Sequence, residues 1–391
     1  MNLAGIKAKV IGEVDAQSER LNSLSLKIHA NPEIGFKEAR ASRWLADYLT
    51  EKGFTLERGI SGLPTAFRAC YGGGHPAIAI LAEYDALPEL GHACGHNLIA
   101  TIAVGAAVAS IKAVGDLSGS ILVLGTPGEE LQGGKAIMAG RGAFDGLDIA
   151  MMVHPSSRNV AATKALACQP LDIEFTGRSA HASACPENGI NALEAMLLAF
   201  NAINSLRQHI PESCRIHGII TDGGEAPNIV PGHSAASFIV RAEDDAYLEV
   251  LKKKTLACFS GAAKATNAHL SYQWREAHYY AMRNNLTLAK LFCENMSALG
   301  RNYILEDNKR NFGSTDMGNV SQLVPAIHPL VAICPPAIAI HSPEFARASA
   351  SKRGQQGLID GAKALAMTVV DLLGNPERVT AIKKEFASKN G

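Results

Sequence analysis

Apolar positions at helical spacing fill the first sixty residues in two blocks. The turn Ile28-His29-Ala30-Asn31-Pro32-Glu33-Ile34-Gly35-Phe36, bearing Pro and Gly, separates them, so two helices are predicted. From Thr65 the texture changes: short apolar runs at 77–82, 120–124 and 148–153 alternate with helical stretches at 98–114 and 134–142. Such alternation predicts a mainly parallel sheet covered on both faces, whose ligands gather at strand C-terminal ends. A second texture begins near Leu171. It predicts a strand at 171–175, a helix at 188–209, strands at 216–220 and 236–241, a helix from about 246 to 263 and a strand at 268–273. The order β-α-β-β-α-β gives a four-stranded sheet with two helices on one face. It reads as an insertion, because helix–strand alternation resumes after about residue 284. Helices at 352–373 and 376–388 close the chain.

At 391 residues the chain is too long for one ordinary core, so two domains are expected. The apolar share of 47% fits a globular α/β protein. Lys and Arg balance Asp and Glu at 37 each, so no net field draws in nucleic acid or an anionic membrane. The apolar stretch 98–114 is short for a membrane span and is expected to be a buried core helix. The start, Met1-Asn2-Leu3-Ala4-Gly5-Ile6-Lys7, reads as an amphipathic helix rather than a secretory leader. Eight cysteines without paired spacing point to reduced thiols and a cytoplasmic setting. Only Cys94 has histidines beside it.

That thiol stands in Gly91-His92-Ala93-Cys94-Gly95-His96-Asn97, between an acidic strand end and an apolar helix. A thiolate and an imidazole two residues apart on a Gly-bearing loop can reach one ion. The adjacent carboxylates Glu129 and Glu130 also follow an apolar run, and so does His154; His341 lies in His341-Ser342-Pro343. One carboxylate can bind metal while its neighbour holds water and moves the proton of an attack on a carbonyl. Each feature has a plainer alternative. The two glutamates suit a helix N-terminus, the histidines suit satisfied loops, and Cys94 could be a nucleophile activated by His96 or His92. The last predicts activity that resists chelators and yields to alkylation. Glu83 and Asp85 are either orienting groups for the imidazoles or ordinary strand-end carboxylates.

With Ala82-Glu83-Tyr84-Asp85-Ala86-Leu87-Pro88, Pro127-Gly128-Glu129-Glu130, Gly177-Arg178-Ser179-Ala180-His181-Ala182, Asn228-Ile229-Val230-Pro231 and Gly313-Ser314-Thr315-Asp316-Met317-Gly318 in the same order, the chain resembles the M20 metallopeptidase and amidohydrolase family. The likeness is to subfamily D, the branch of aminobenzoyl-glutamate hydrolases and aminoacylase-1-like-2 proteins, and covers almost the whole chain. It implies a zinc-peptidase-like α/β catalytic domain with a mixed, mainly parallel sheet, at 1–170 plus 284–391. A smaller ferredoxin-like α+β lid and dimerisation domain would occupy 171–283. Cys94, His96, Glu130, His154 and His341 would hold two divalent ions, zinc first and manganese second, with Cys94 bridging.

The resemblance further implies Glu129 as general base and His181 as an oxyanion donor reaching the opposite subunit's site. Asn228 and Arg241 would hold a substrate carboxylate; a hairpin Asn and a strand-edge Arg are their plainer readings. A homodimer or homotetramer is expected. The implied reaction is hydrolysis of an amide bond in a small N-acyl amino acid, an aminobenzoyl-glutamate-like conjugate or a dipeptide. Alternatives are a peptidase of short peptides and a non-catalytic relative that binds metal or ligand. Two departures from relatives stand out: Asn97 where many have Asp, and Glu83-Tyr84-Asp85 where others have His-x-Asp. Asp316 and His328 lie in motifs of unassigned role.

Overall fold

The computed structural model describes residues 2–114, 118–130, 132–307 and 313–388. Of the expected catalytic domain, residues 1, 115–117, 131, 308–312 and 389–391 lie outside these. The chain divides into two compact units. One comprises Met1–Lys164, Met282–Lys309 and Asn319–Gly391, the other Ala165–Ala281 and Arg310–Gly318.

The first unit opens with helices α1 (Leu3–His29) and α2 (Ala39–Glu51). Strands β1 (Thr55–Arg58), β2 (Phe67–Gly73) and β3 (Ala77–Ala82), helix α3 (His96–Val114), strand β4 (Gly119–Gly125) and helix α4 (Gly134–Gly140) follow. Strands β5 (Ile149–Met151), β6 (His154–Ser156) and β7 (Val160–Ala162) lead to the second unit. There the order is β8 (Ala167–Thr176), α5 (Ala192–Leu206), β9 (Arg215–Asp222), β10 (His233–Ala242), α6 (Asp245–Thr266) and β11 (His269–Trp274). The chain returns through α7 (Leu286–Ala298), β12 (Ile304–Glu306), α8 (Met317–Leu323), β13 (Ala326–Ile327) and β14 (Leu330–Ala332). It ends in α9 (Pro343–Ser349), α10 (Lys352–Gly374) and α11 (Pro376–Ser388).

The main sheet of the first unit runs β1-β2-β4-β3-β5-β13, with β4, β3, β5 and β13 mutually parallel, β2 antiparallel to β4 and β1 antiparallel to β2. Every residue of β3 is buried, as expected of a central parallel strand covered on both faces. Helix α1 buries Val10, Val14, Gln17, Leu21, Ser25 and Ile28, a stripe at helical spacing. Small residues bring α3 close to it: a Cβ on Gly105 would lie 2.7 Å from Leu21 Cδ1. Each fully buried Leu or Ile in this layer contributes about 1.5–3 kcal/mol. A second small sheet, β12-β7-β14-β6, is built of three-residue strands.

In the second unit, β11-β8-β10-β9 is antiparallel throughout. Burial alternates along β10, so one face packs on helices and the other does not. The unit's ends meet: Cys168 and Tyr279 exchange both backbone hydrogen bonds, at 2.8 and 2.9 Å. Among the described residues, no helix is long and apolar enough to cross a membrane.

Candidate metal centre

The C-terminal ends of β3, β4 and β5 carry the chemistry. Beyond β3, Glu83 and Asp85 both approach His96, while Tyr84 between them packs elsewhere. Tyr84 stacks on Phe67 and donates to the Thr65 carbonyl at 2.6 Å. Asp85 ties two elements together. Its Oδ1 lies 2.9 Å from His96 Nδ1, and its Oδ2 accepts from the Glu130 backbone N–H at 2.9 Å. The Asp85 contact leaves Nε2 as the His96 atom that faces the pocket, the orienting arrangement common for metal-bound imidazoles.

Gly95 makes the loop before α3 tight. Its φ is 77°, and a Cβ there would stand 2.8 Å from Pro155 Cγ. Gly95→Ala is therefore expected to destabilise the protein by about 1–3 kcal/mol. A thermal midpoint of metal-free protein no lower than wild type would contradict this. His341 also sits at positive φ, 63°, pinned by its N–H to the Ala93 carbonyl at 3.0 Å. Non-glycine residues hold that conformation at a cost of about 1–2 kcal/mol, and such strain collects at functional sites.

These constraints bring the donors together in overlapping groups, each with its atoms within 4.8 Å of one another: Cys94, His96 and His154; Cys94, Glu130 and His341; His96, Glu129 and Glu130. His341 Nε2 lies 2.8 Å from Cys94 Sγ and 3.3 Å from Glu130 Oε1. His154 turns its Nδ1 to the Pro155 carbonyl at 2.6 Å. Its ring meets His96 and His328 edge-on, at centroid distances of 5.9 and 5.3 Å.

Burial pushes the Cys94 thiol well above its usual range. Burial alone would lower His96, but the Asp85 carboxylate facing it outweighs burial and raises it well above an ordinary imidazole. Burial lowers His154, His328 and His92, the last to about 3. Glu130 is pulled down, because the close approach of His341 and the His96 charge more than offset its burial.

The donor set fits divalent ions. Sulfur, imidazole and carboxylate converge, while His96 Nε2, Glu83 Oε2 and Glu130 Oε1 are buried without a hydrogen-bond partner. Buried polar atoms are seldom left so. His92 belongs to none of these donor groups, although both its ring nitrogens are buried without a hydrogen-bond partner; its ring centroid lies 6.0 Å from that of His29. Asn97 points away: its amide donates to Ser25 Oγ at 2.9 Å and the Ser349 carbonyl at 3.2 Å. An aspartate could not make either bond as a donor.

In the second unit, His181 is exposed and paired across a bridge with Ile229, and the Asn228 carbonyl accepts from Ala182 N–H at 3.0 Å. Backbone N–H groups of Ser183 and Ala184 point at His181 Nδ1, 3.3 and 3.2 Å away. The neutral ring therefore carries its proton on Nε2, as a donor. On β10, Arg241 donates from Nη1 to Ser314 Oγ at 2.8 Å and from Nε to His217 at 3.3 Å.

Two supporting residues escaped the sequence reading. Lys135, fully enclosed, places Nζ 2.5 Å from Glu83 Oε1. Glu38, also enclosed, accepts from Gly128 N–H at 2.8 Å and Thr65 Oγ1 at 3.0 Å, and so anchors the loop that carries Glu129. Burial, then the Asp85 charge, raises its carboxyl from 4.5 to about 7. The native state thus keeps a proton that the unfolded chain gives up earlier. Stability is greatest below the unfolded value and falls by about 3 kcal/mol as pH rises between the two. The thermal midpoint of metal-free protein should drop by several degrees from pH 4.5 to 7.5, and Glu38→Gln should flatten that drop. An equal drop in the variant would contradict the assignment.

A family model described as a peptidase dimerisation domain matches residues 171–267. The Xaa-Arg dipeptidase of Mus musculus is 38% identical, across 98% of this chain and 93% of that protein. One of the subunits of the p-aminobenzoyl-glutamate hydrolase of Escherichia coli (strain K12) is 33% identical, across 68% of this chain and 59% of its own length. Among solved structures, the Bacillus subtilis YXEP protein, a dinuclear metal binding peptidase from the M20 family, superposes with a TM-score of 0.71. It is 18% identical and covers 92% of this chain and 99% of that one, a likeness of fold.

Proposed function

The chain belongs to the M20 family of metallopeptidases and amidohydrolases, and from that premise we propose that it hydrolyses the amide bond of a dipeptide or small N-acyl amino acid. The observation that carries the reading is the convergence of Cys94, His96, Glu130, His154 and His341 in overlapping donor groups with Glu129 alongside. These five residues would hold two divalent ions, with Cys94 common to both. Zinc suits the mixed sulfur, nitrogen and oxygen set, and manganese is the second candidate. Bound there, the ions would supply polarisation of the scissile carbonyl and a more acidic attacking water.

The chain's own groups do the rest. Glu129 accepts the proton of the attacking water as the new C–O bond forms, then delivers it to the leaving nitrogen as the C–N bond breaks. His181 offers its Nε2–H to the oxyanion in the site of a second copy of the chain. Arg241 and Asn228 receive the substrate's carboxylate, Arg through its planar fork. In this reading 171–283 serves as lid and dimer-forming domain, in a homodimer or homotetramer working in the cytoplasm.

The relative named Xaa-Arg dipeptidase puts dipeptides first, and the aminobenzoyl-glutamate hydrolase relative keeps acyl-glutamates in view. Metal-loaded protein should be assayed against Xaa-Arg and other dipeptides, N-acyl amino acids and aminobenzoyl-glutamate. Chelator-sensitive release of a free amine from at least one class is expected. Activity that survives exhaustive chelation and stops on thiol alkylation would replace this reading with Cys94 as nucleophile.

A further inference from the structure

Glu83 and Asp85 address opposite nitrogens of the same imidazole. Asp85 makes a hydrogen bond to His96 Nδ1 at 2.9 Å. Glu83 Oε2 lies 3.4 Å from His96 Nε2, and neither atom has a hydrogen-bond partner although both are buried. The other Glu83 oxygen is occupied by Lys135 Nζ at 2.5 Å. Two donors each about 2.1 Å from one ion at a tetrahedral angle stand about 3.4 Å apart. The same signature recurs at His341 Nε2 and Glu130 Oε1, 3.3 Å apart, where Oε1 again lacks a hydrogen bond.

We propose that Glu83 is a further ligand of the divalent ion held by His96, and that Lys135 is the positioning residue that turns Oε2 toward it. The inference rests on the metal-centre reading above and adds an acid to its ligand set. Lys135 reaches this place because the turn before α4 is very tight. Gly133 has φ 67°, and a Cβ on Gly134 would lie 1.7 Å from the Pro127 carbonyl oxygen. The loop that delivers Glu129 and Glu130 therefore also delivers the ammonium that fixes Glu83. With Lys135 paired to it, a buried carboxylate joins the donor set without raising the pocket's net negative charge. A carboxylate oxygen beside the imidazole also shifts the site toward harder ions such as manganese.

A purely structural salt bridge is the competing account, and it makes a different prediction. Replacing a buried ion pair by neutral residues of similar volume is often close to neutral for stability, and a structural role leaves metal affinity alone. The test pairs two measurements. In crystals of the wild-type protein soaked with zinc or manganese, Glu83 Oε2 should lie about 2.0–2.3 Å from an anomalous peak; an oxygen beyond about 3 Å from every bound ion overturns the proposal. In Glu83→Gln/Lys135→Met, chelator competition should show one ion bound at least about tenfold more weakly, with an altered cobalt(II) absorption spectrum. Unchanged affinities and spectrum overturn it. If the double variant does not fold, the soaked wild-type crystals decide. Wild-type protein that takes up no divalent ion at all refutes the metal centre itself, a failure distinct from a loaded site with Glu83 standing outside it.

Discussion

Glu129→Gln should lower kcat by about 10²–10⁴-fold while both metal ions stay bound. Glutamine keeps the size and much of the hydrogen bonding of the side chain but cannot accept the water's proton. Because Glu129 sits in a donor group with His96 and Glu130, its neighbours would still hold their positions, anchored from behind by Asp85 and Glu38. A loss confined to the chemical step lowers kcat with little change in KM. Metal analysis of the same sample separates the outcomes. Full turnover with both ions present removes Glu129 from the base role, and loss of an ion makes it a ligand instead.

The second large effect is expected at Cys94. Its sulfur belongs both to the group with His96 and His154 and to the group with Glu130 and His341. Cys94→Ala should therefore depress binding of both ions and reduce activity by more than about 100-fold, beyond what loss of an orienting partner costs. His154→Ala and His341→Ala should each weaken mainly one ion. Titration with a competing chelator, ion by ion, distinguishes the shared ligand from the unshared ones. A Cys94→Ala protein that keeps both ions and loses only activity would point to a nucleophilic thiol. Equal losses in all three variants would mean that the two groups do not act as separate sites.

Periodicity made the large elements legible. The strand at 171–175 and the helix at 188–209 correspond to β8 and α5, with Pro186–Asn188 and Arg207–His209 forming short 3-10 turns at the helix ends. The run at 77–82 coincides with β3. The sheet β12-β7-β14-β6 was not legible, because three residues are too few for an alternating pattern to register. The site shows the same division. Cys94, His96 and Glu130 stand in motifs whose residue types announce metal chemistry, and their atoms converge. Lys135 follows two glycines at the start of a helix, where a lysine ordinarily reaches into water. Only the turn at Gly133 and Gly134 sends it inward, and turn geometry of that kind is set by tertiary packing. Glu38, in the polar run Lys37-Glu38-Ala39-Arg40, was hidden for the same reason.

Cys168 and Tyr279 clasp the two ends of the inserted segment side by side. A stretch of chain whose ends already touch can grow, shrink or be exchanged as a cassette without dragging its flanking sequence along. Over evolutionary time the host fold is then free to keep its own strand-end side chains fixed while the inserted segment diversifies at its own pace.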